Sequence, residues 1–298
     1  MRLLVTGGTG FIGAPLCEAL TRRGHELLVL TRASEGRTGP AGVRFVPCEP
    51  GDWRPALDGV DAVINLAGEP IAAARWSPPQ KLRIRDSRVQ TTRRLVDAIA
   101  GTPRKPAALI SASAIGYYGA RGGEELAEAD APGRGFLAQT CQAWEAEAER
   151  AAAFGVRVVR LRIGLVLGPG GGALAKMAPP FRAWLGGPIG DGRQWVSWIH
   201  RDDVIGLVDW ALTRPELSGA VNATAPAPVT MATLCRELGR ALRRPSWLPV
   251  PAAVLRLLLG EMADLLLTGQ RVLPRAALQG GDVFRFPGVA EALAACVR

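Results

Sequence analysis

The chain has 298 residues, 48% of them hydrophobic and 21% charged. That is enough apolar material for one large or two smaller domains, and disorder is excluded. Its net charge of +9 is carried almost wholly by arginine, since the lysines are only Lys81, Lys105 and Lys176. The excess suits anionic partners, but no basic run carries interleaved aromatics, so nucleic acid is disfavoured.

In chain order, Leu3–Thr6 reads as a strand, followed by glycines at 7, 8, 10 and 13 and a helix over Phe11–Arg23 that Gly24 stops. A glycine-rich turn between a strand and a helix is the geometry a dinucleotide's diphosphate needs: the backbone approaches the phosphates, and free helix N–H groups point at the anion. Gly7, Thr9, Gly10, Phe11, Ile12 and Gly13 are the residues expected to cradle it. The second strand, Glu26–Thr31, ends in Thr31-Arg32, nineteen residues after Gly13. A carboxylate there would bind ribose hydroxyls; an arginine offers a permanent positive fork to a 2′-phosphate, so NADP(H) is the expected cofactor.

Val43–Pro47 and Ala62–Leu66 predict further strands, the latter running into Ala67, Gly68 and Glu69, small enough at first to let a ribose or nicotinamide pass. A long helix follows, with Ser77 as N-cap, Pro78 at its first position and an apolar stripe of Leu82, Val89, Val96 and Ile99. Ala108–Ser111 is a strand, Leu137–Phe154 a helix and Val156–Arg162 a strand. Such alternation predicts an α/β fold, a Rossmann doubly wound parallel sheet. Beyond Gly168-Pro169-Gly170-Gly171-Gly172 the segments shorten: Lys176–Trp184, Trp195–His200, Val204–Leu212, Met231–Leu242, Ala252–Leu267 and a last helix to Val297. This part predicts a smaller C-terminal α+β substrate domain at the carboxyl edge of the sheet. Met177, Trp184, Trp195 and Trp198 line its pocket in one reading and pack its core in the other.

Cys17, Cys48, Cys141, Cys235 and Cys296 stand far apart with no C-x-x-C pair, which argues against a disulfide framework or zinc site and for a reducing compartment. The first strand begins at once, so no leader is expected. The most apolar stretch, Val250 to Leu267, carries Arg256, Glu261 and Asp264 and predicts buried helices rather than a membrane span. A cytoplasmic protein is expected.

With T-G-G-T-G-F-I-G at the start, N-L-A-G at 65–68, S-x-S-A from Ser111 and W-I-H-R-D-D-V at 198–204, the chain resembles the extended short-chain dehydrogenase/reductases. Longer matches, S-A-S-A-I-G-Y-Y-G (111–119), G-G-A-L-A-K-M (171–177), G-R-Q-W-V-S-W-I-H (192–200) and G-E-M-A-D-L-L-L-T-G-Q-R-V-L-P (260–274), make it similar to the atypical "epimerase family protein" group across essentially its whole length. The resemblance implies an NADP-binding Rossmann domain over residues 1–165 and a substrate region over 166–298, some segments of which return to the sheet. It also implies Arg88, within S-R-x-x-T-T, as a cofactor contact.

One departure bears on chemistry. Active members of the superfamily use a tyrosine acid/base with a lysine four residues later, but here Arg121 follows Tyr117 and Gly122 follows Tyr118 at that spacing, and Thr140 and Cys141 stand where the lysine is expected. An unassisted tyrosine, with a pKa near 10, is poorly matched to proton transfer at neutral pH. Substitutes are Ser113, Tyr117, Tyr118 and His200 as catalytic candidates, with Ser111 and Glu69 beside the cofactor; each has a plain alternative in packing, capping or hydrogen bonding. Two functions follow. One is an oxidoreductase or epimerase-like enzyme acting on a small carbonyl or sugar nucleotide; the other is an NADP(H)-binding sensor that lost its acid/base pair. The partners expected are a small molecule, nucleotide-linked in one version, and in one version a second copy as a homodimer; neither nucleic acid, metal nor membrane is expected.

Overall fold

The computed structural model describes residues 1–32, 34, 39, 41–48 and 51–297. In chain order the first part comprises β1 (Arg2–Thr6), α1 (Gly13–Arg22), β2 (Glu26–Thr31), β3 (Val43–Pro47), the single turn α2 (Arg54–Leu57), β4 (Ala62–Asn65), α3 (Pro78–Gly101), β5 (Ala108–Ala114), the short β6 (Glu125–Leu126), α4 (Phe136–Glu149) and β7 (Arg157–Ile163). The second part comprises β8 (Leu165–Leu167), α5 (Leu174–Arg182), β9 (Trp195–Val196), β10 (Trp198–His200), α6 (Arg201–Thr213), β11 (Gly219–Ala223), β12 (Val229–Thr230), α7 (Met231–Leu242), α8 (Ala252–Leu259), α9 (Asp264–Leu267), β13 (Arg271–Val272), α10 (Arg275–Gln279) and α11 (Val289–Cys296).

Seven of the strands form one parallel sheet in the order β11-β7-β5-β4-β1-β2-β3. Strand order reverses at β1, which pairs with β2 through Leu3↔Leu27 and with β4 through Leu3↔Ala62. Both faces are covered, as a parallel sheet requires. Leu3 and Val5 pack with Leu16, Leu20, Val204 and Val208 on the α1 and α6 side. Leu4, whose side chain points the other way, packs with Leu57, Leu95 and Ile99. A third cluster around Trp198, Leu234, Leu238 and Leu293 holds the C-terminal region together.

The predicted elements are recovered with shifts at their ends, and Ser77 caps α3 by accepting from the Gln80 N–H. The edge strand β11 comes from beyond residue 165 and pairs with β7, and α6 covers the same sheet, so segments of the second part return to the sheet. Two expectations change. Leu82 is exposed although it shares the stripe of Val89, Val96 and Ile99; the first buried apolar residue of α3 is Ile84. The stretch 250–267 does not form buried helices: no residue of α8 or α9 is buried, and only Met262 and Ala263, in the turn between them, are. Trp198 is core, Trp184 is exposed, and Trp195 lines a cavity of about 420 Å³ with Gly123, Gln194 and Thr268.

Candidate cofactor and active site

The crevice at the β1/β4 reversal is built by backbone fitting backbone. Gly7 has φ +70°, and a Cβ there would lie 2.6 Å from the Leu66 carbonyl oxygen, in the loop after β4. A Cβ on Gly13 would lie 2.1 Å from the Gly7 oxygen and 2.7 Å from Gly8 Cα, so α1 closes on the turn only because position 13 has no side chain. Thr9 and Gly10 are exposed at the mouth of this turn, and Gly10 donates to the Gly7 carbonyl at 3.0 Å. No side chain caps α1 and no acid sits in its first turn, whereas α3, α6 and α7 are capped by Ser77, His200 and Thr230. The α1 N-terminus is therefore open to an anion. The half-buried Phe11 packs on the Gly168–Gly172 loop beneath the Arg201 guanidinium, 5.0 Å from its ring centroid; Ile12 is half-buried behind it.

Thr31 is buried at the end of β2, and Arg32 after it is exposed and, among the described residues, in no ion pair. Across the crevice Leu66 and Ala67 are half-buried and Gly68 exposed. The Ala67 N–H donates to Thr6 Oγ1, and α3 fixes the next turn from behind: the Glu69 N–H donates to Ser87 Oγ at 3.0 Å, and Arg88 Nη2 donates to the Glu69 carbonyl at 3.0 Å. Arg88 also donates to the Ile84 carbonyl and lies over Trp144, and burial lowers its pKa. Its geometry is that of a brace for the Gly68–Glu69 turn. Ser111 is likewise engaged from below: its Oγ accepts from Asn65 Nδ2, which also donates to Thr92, while Thr6 donates to Asn65 Oδ1 at 2.7 Å.

On the far side of the cleft the catalytic candidates divide. Ser113 donates to Glu145 Oε1 at 2.6 Å, and both are buried. Glu145 in turn receives Arg162 through two bonds of 2.9 Å, a bidentate pair with both partners under 5% exposed. Arg162 Nη1 donates to the Tyr118 hydroxyl at 2.9 Å, and that hydroxyl donates to Asn222 Oδ1 at 2.7 Å. Tyr118 is thus wholly inside the molecule, its pKa raised by burial, rather than in the cleft as expected for a donor. Tyr117 is half-buried, with the Arg162 guanidinium 3.5 Å from its ring centroid.

His200 ends β10 and caps α6, its Nδ1 accepting from the Asp202 N–H at 3.1 Å; burial lowers its pKa, and it packs on Phe286. The plain alternative for His200, a structural hydrogen bond between the two domains, takes the form of a cap at the start of its own helix. Cys141, on the α4 turn where a lysine was sought, is buried, and burial together with Glu145 pushes its thiol up to about 12. It supplies no cation.

The sequence profile of the NAD dependent epimerase/dehydratase family matches residues 3–223, ending where β11 ends. The chain belongs to that family. A second profile, a domain of unknown function (DUF1731), matches residues 250–296. Among members of the family, an Arabidopsis thaliana protein named "Epimerase family protein SDR39U1 homolog, chloroplastic" is 43% identical over 100% of this chain and 87% of its own length. Bacillus subtilis YfhF, also an epimerase family protein, is 38% identical over 98% of this chain and 97% of its own. The crystal structure of human epimerase family protein SDR39U1 with NADPH superposes with a TM-score of 0.88 at 37% identity, covering 99% of this chain and 98% of that one. No described helix is long and apolar enough to cross a membrane, and no described His, Cys, Asp and Glu group could hold a metal ion.

The sequence reading missed Glu145, Arg162 and Asn222. A signal for one of them was present: Arg162 interrupts an otherwise apolar strand end, where an unpaired charge is not tolerated. It also missed the seam that ties the loop before α3 to the C-terminal region. There Lys176 on α5 donates to the Ala72 carbonyl, and Lys81 on α3 pairs with Glu261.

Proposed function

We propose that this chain is an NADP(H)-binding oxidoreductase or epimerase-like protein acting on a small carbonyl or a sugar nucleotide, with Tyr117 as the proton donor. The observation that carries the reading is the side-chain-free contact between the Gly7 turn and the Leu66 loop beside an uncapped α1. The diphosphate lies on Gly7–Gly13, and Arg32 takes the 2′-phosphate as a charge-assisted pair; the human relative's structure with NADPH supports this. When bound, the cofactor would supply or accept hydride at its nicotinamide, and Leu66, Ala67 and Gly68 are the residues that would line its passage. The Arg162 guanidinium lies against the Tyr117 ring and sets a cation beside it. Ser113, Tyr118 and His200 hold the surrounding structure in this reading, through Glu145, Asn222 and the α6 cap respectively. The buried free thiols of Cys17, Cys141, Cys235 and Cys296 support a reducing compartment such as the cytoplasm.

A second reading, a cofactor-binding sensor, is favoured by Cys141 in the lysine's place. Calorimetry with NADPH, followed by NADPH oxidation across sugar nucleotides and small carbonyls, separates the two. The enzyme reading expects turnover that Tyr117→Phe lowers about 10²–10⁴-fold with cofactor affinity unchanged. Tight NADPH binding without turnover on any class makes the sensor the better reading.

A further inference from the structure

Outside the cleft, the C-terminal region exposes an apolar strip that the proposed chemistry does not use. In α8, Ala253, Val254, Leu257 and Leu258 fall on one helical face, and that face points to solvent: Leu257 is 77% exposed and Leu258 63%. The segment leading into the helix carries Trp247, 62% exposed, whose Nε1 donates to the Trp184 carbonyl at 3.0 Å, so the turn after α5 joins the same surface with Trp184 and Leu185. The two described non-glycine residues with left-handed backbone are Trp184 (φ +66°) and Arg243 (φ +56°). Both sit where helices end, a position that glycine takes at no steric cost. The strain is kept here and nowhere else in the described chain.

Charge indicates what covers the strip. Residues 182–190 and 243–260 contain Arg182, Arg243, Arg244 and Arg256 and no aspartate or glutamate. None of the four is in an ion pair among the described residues, and Arg244 lies over the Trp184 ring, 4.7 Å from its centroid. A second copy laid symmetrically on this face would bring the same arginines against each other. Tryptophan and leucine facing outward, flanked by unpaired arginine, is instead the chemistry of a helix lying in the headgroup layer of an anionic bilayer.

We propose that the Trp184–Leu185 turn and the Trp247–Leu258 segment form a docking surface for an anionic lipid bilayer, with the leucines entering the acyl boundary and the arginines meeting the headgroups. This departs from the expectation that no membrane is a partner, and it is independent of the cofactor reading. The test is flotation of the full chain with vesicles of phosphatidylcholine alone and of phosphatidylcholine mixed with phosphatidylglycerol. The expected result is binding to the mixed vesicles that weakens with salt and falls more than tenfold in Leu257→Glu. Arg256→Gln gives a smaller loss, confined to low salt. Both side chains are exposed, so NADPH affinity and thermal stability stay at the parent's values and show that the variants are folded. Absence of binding to the mixed vesicles overturns the proposal. So does a dimer in light scattering that Leu257→Glu dissociates, which assigns the face to a second copy, or equal binding to both vesicle types, which removes the headgroup role.

Discussion

The two sides of the cleft are made differently. On the β1/β4 side the backbone carries the site: Gly7 and Gly13 remove side chains so that the turn meets the Leu66 loop and α1, which is left uncapped. On the β5/β7 side the side chains carry it, and they are spent on each other: Ser113 on Glu145, Glu145 on Arg162, Arg162 on Tyr118, Tyr118 on Asn222. The first side is shaped for a ligand that arrives with its own charge. The second is a closed polar circuit that leaves Tyr117 as the group nearest to free. The contrast teaches that the proposed cofactor site and the proposed proton donor are held by separable sets of residues.

Breaking the circuit gives the largest effect. Glu145→Ala leaves Arg162 buried without its partner and lowers unfolding free energy by about 3–5 kcal/mol in urea titration. Adding Arg162→Met to it restores part of the loss, because the uncompensated charge is gone. If the single variant is neutral, the buried pair does not organise this side. Arg32→Ala tests the opposite side. Loss of a charge-assisted contact worth about 1.5–3 kcal/mol weakens NADPH binding roughly ten- to hundredfold and barely touches NADH; equal losses for both refute the 2′-phosphate role. Neither variant disturbs what the other does, if the two sides are independent.

The smallest effect lies at the α6 cap. Burial holds His200 below its ordinary 6.5, so on acidification the unfolded chain takes up the proton first. Stability is complete above about pH 6.5 and declines as the pH falls from there toward the lower native value. His200→Asn keeps a capping oxygen and removes part of that decline, while His25, also lowered by burial, retains a shallower one. Melting temperatures of parent and variant on either side of pH 6.5 read the difference.

The β1/β4 side was legible in the sequence because its requirements are local. A strand, a glycine turn and a helix lie within Leu3–Arg22, and Arg32 follows at the end of the next strand. The circuit was not legible because its members lie on β5 and the turn after it, α4, β7 and β11, and meet only when the sheet is assembled; Ser113 and Glu145 are 32 residues apart, and Tyr118 and Asn222 are 104. The outward face of α8 was misread for another reason. Val254, Leu257 and Leu258 have the same composition and spacing whether they face a core or solvent, and only the position of α8 at the edge of the C-terminal region separates the two. Leu82 fails in the same way at the start of α3.

The scarcity of lysine has a chemical corollary. Lys176 holds the Ala72 carbonyl, Lys81 holds Glu261, and Lys105 holds the Ala100 and Thr102 carbonyls. Two of the three lysine amines staple separate segments, and the third caps the end of α3. Acylating reagents that spare arginine would therefore strike not a decorative coat but the stitches, loosening the seam between the loop before α3 and the C-terminal region.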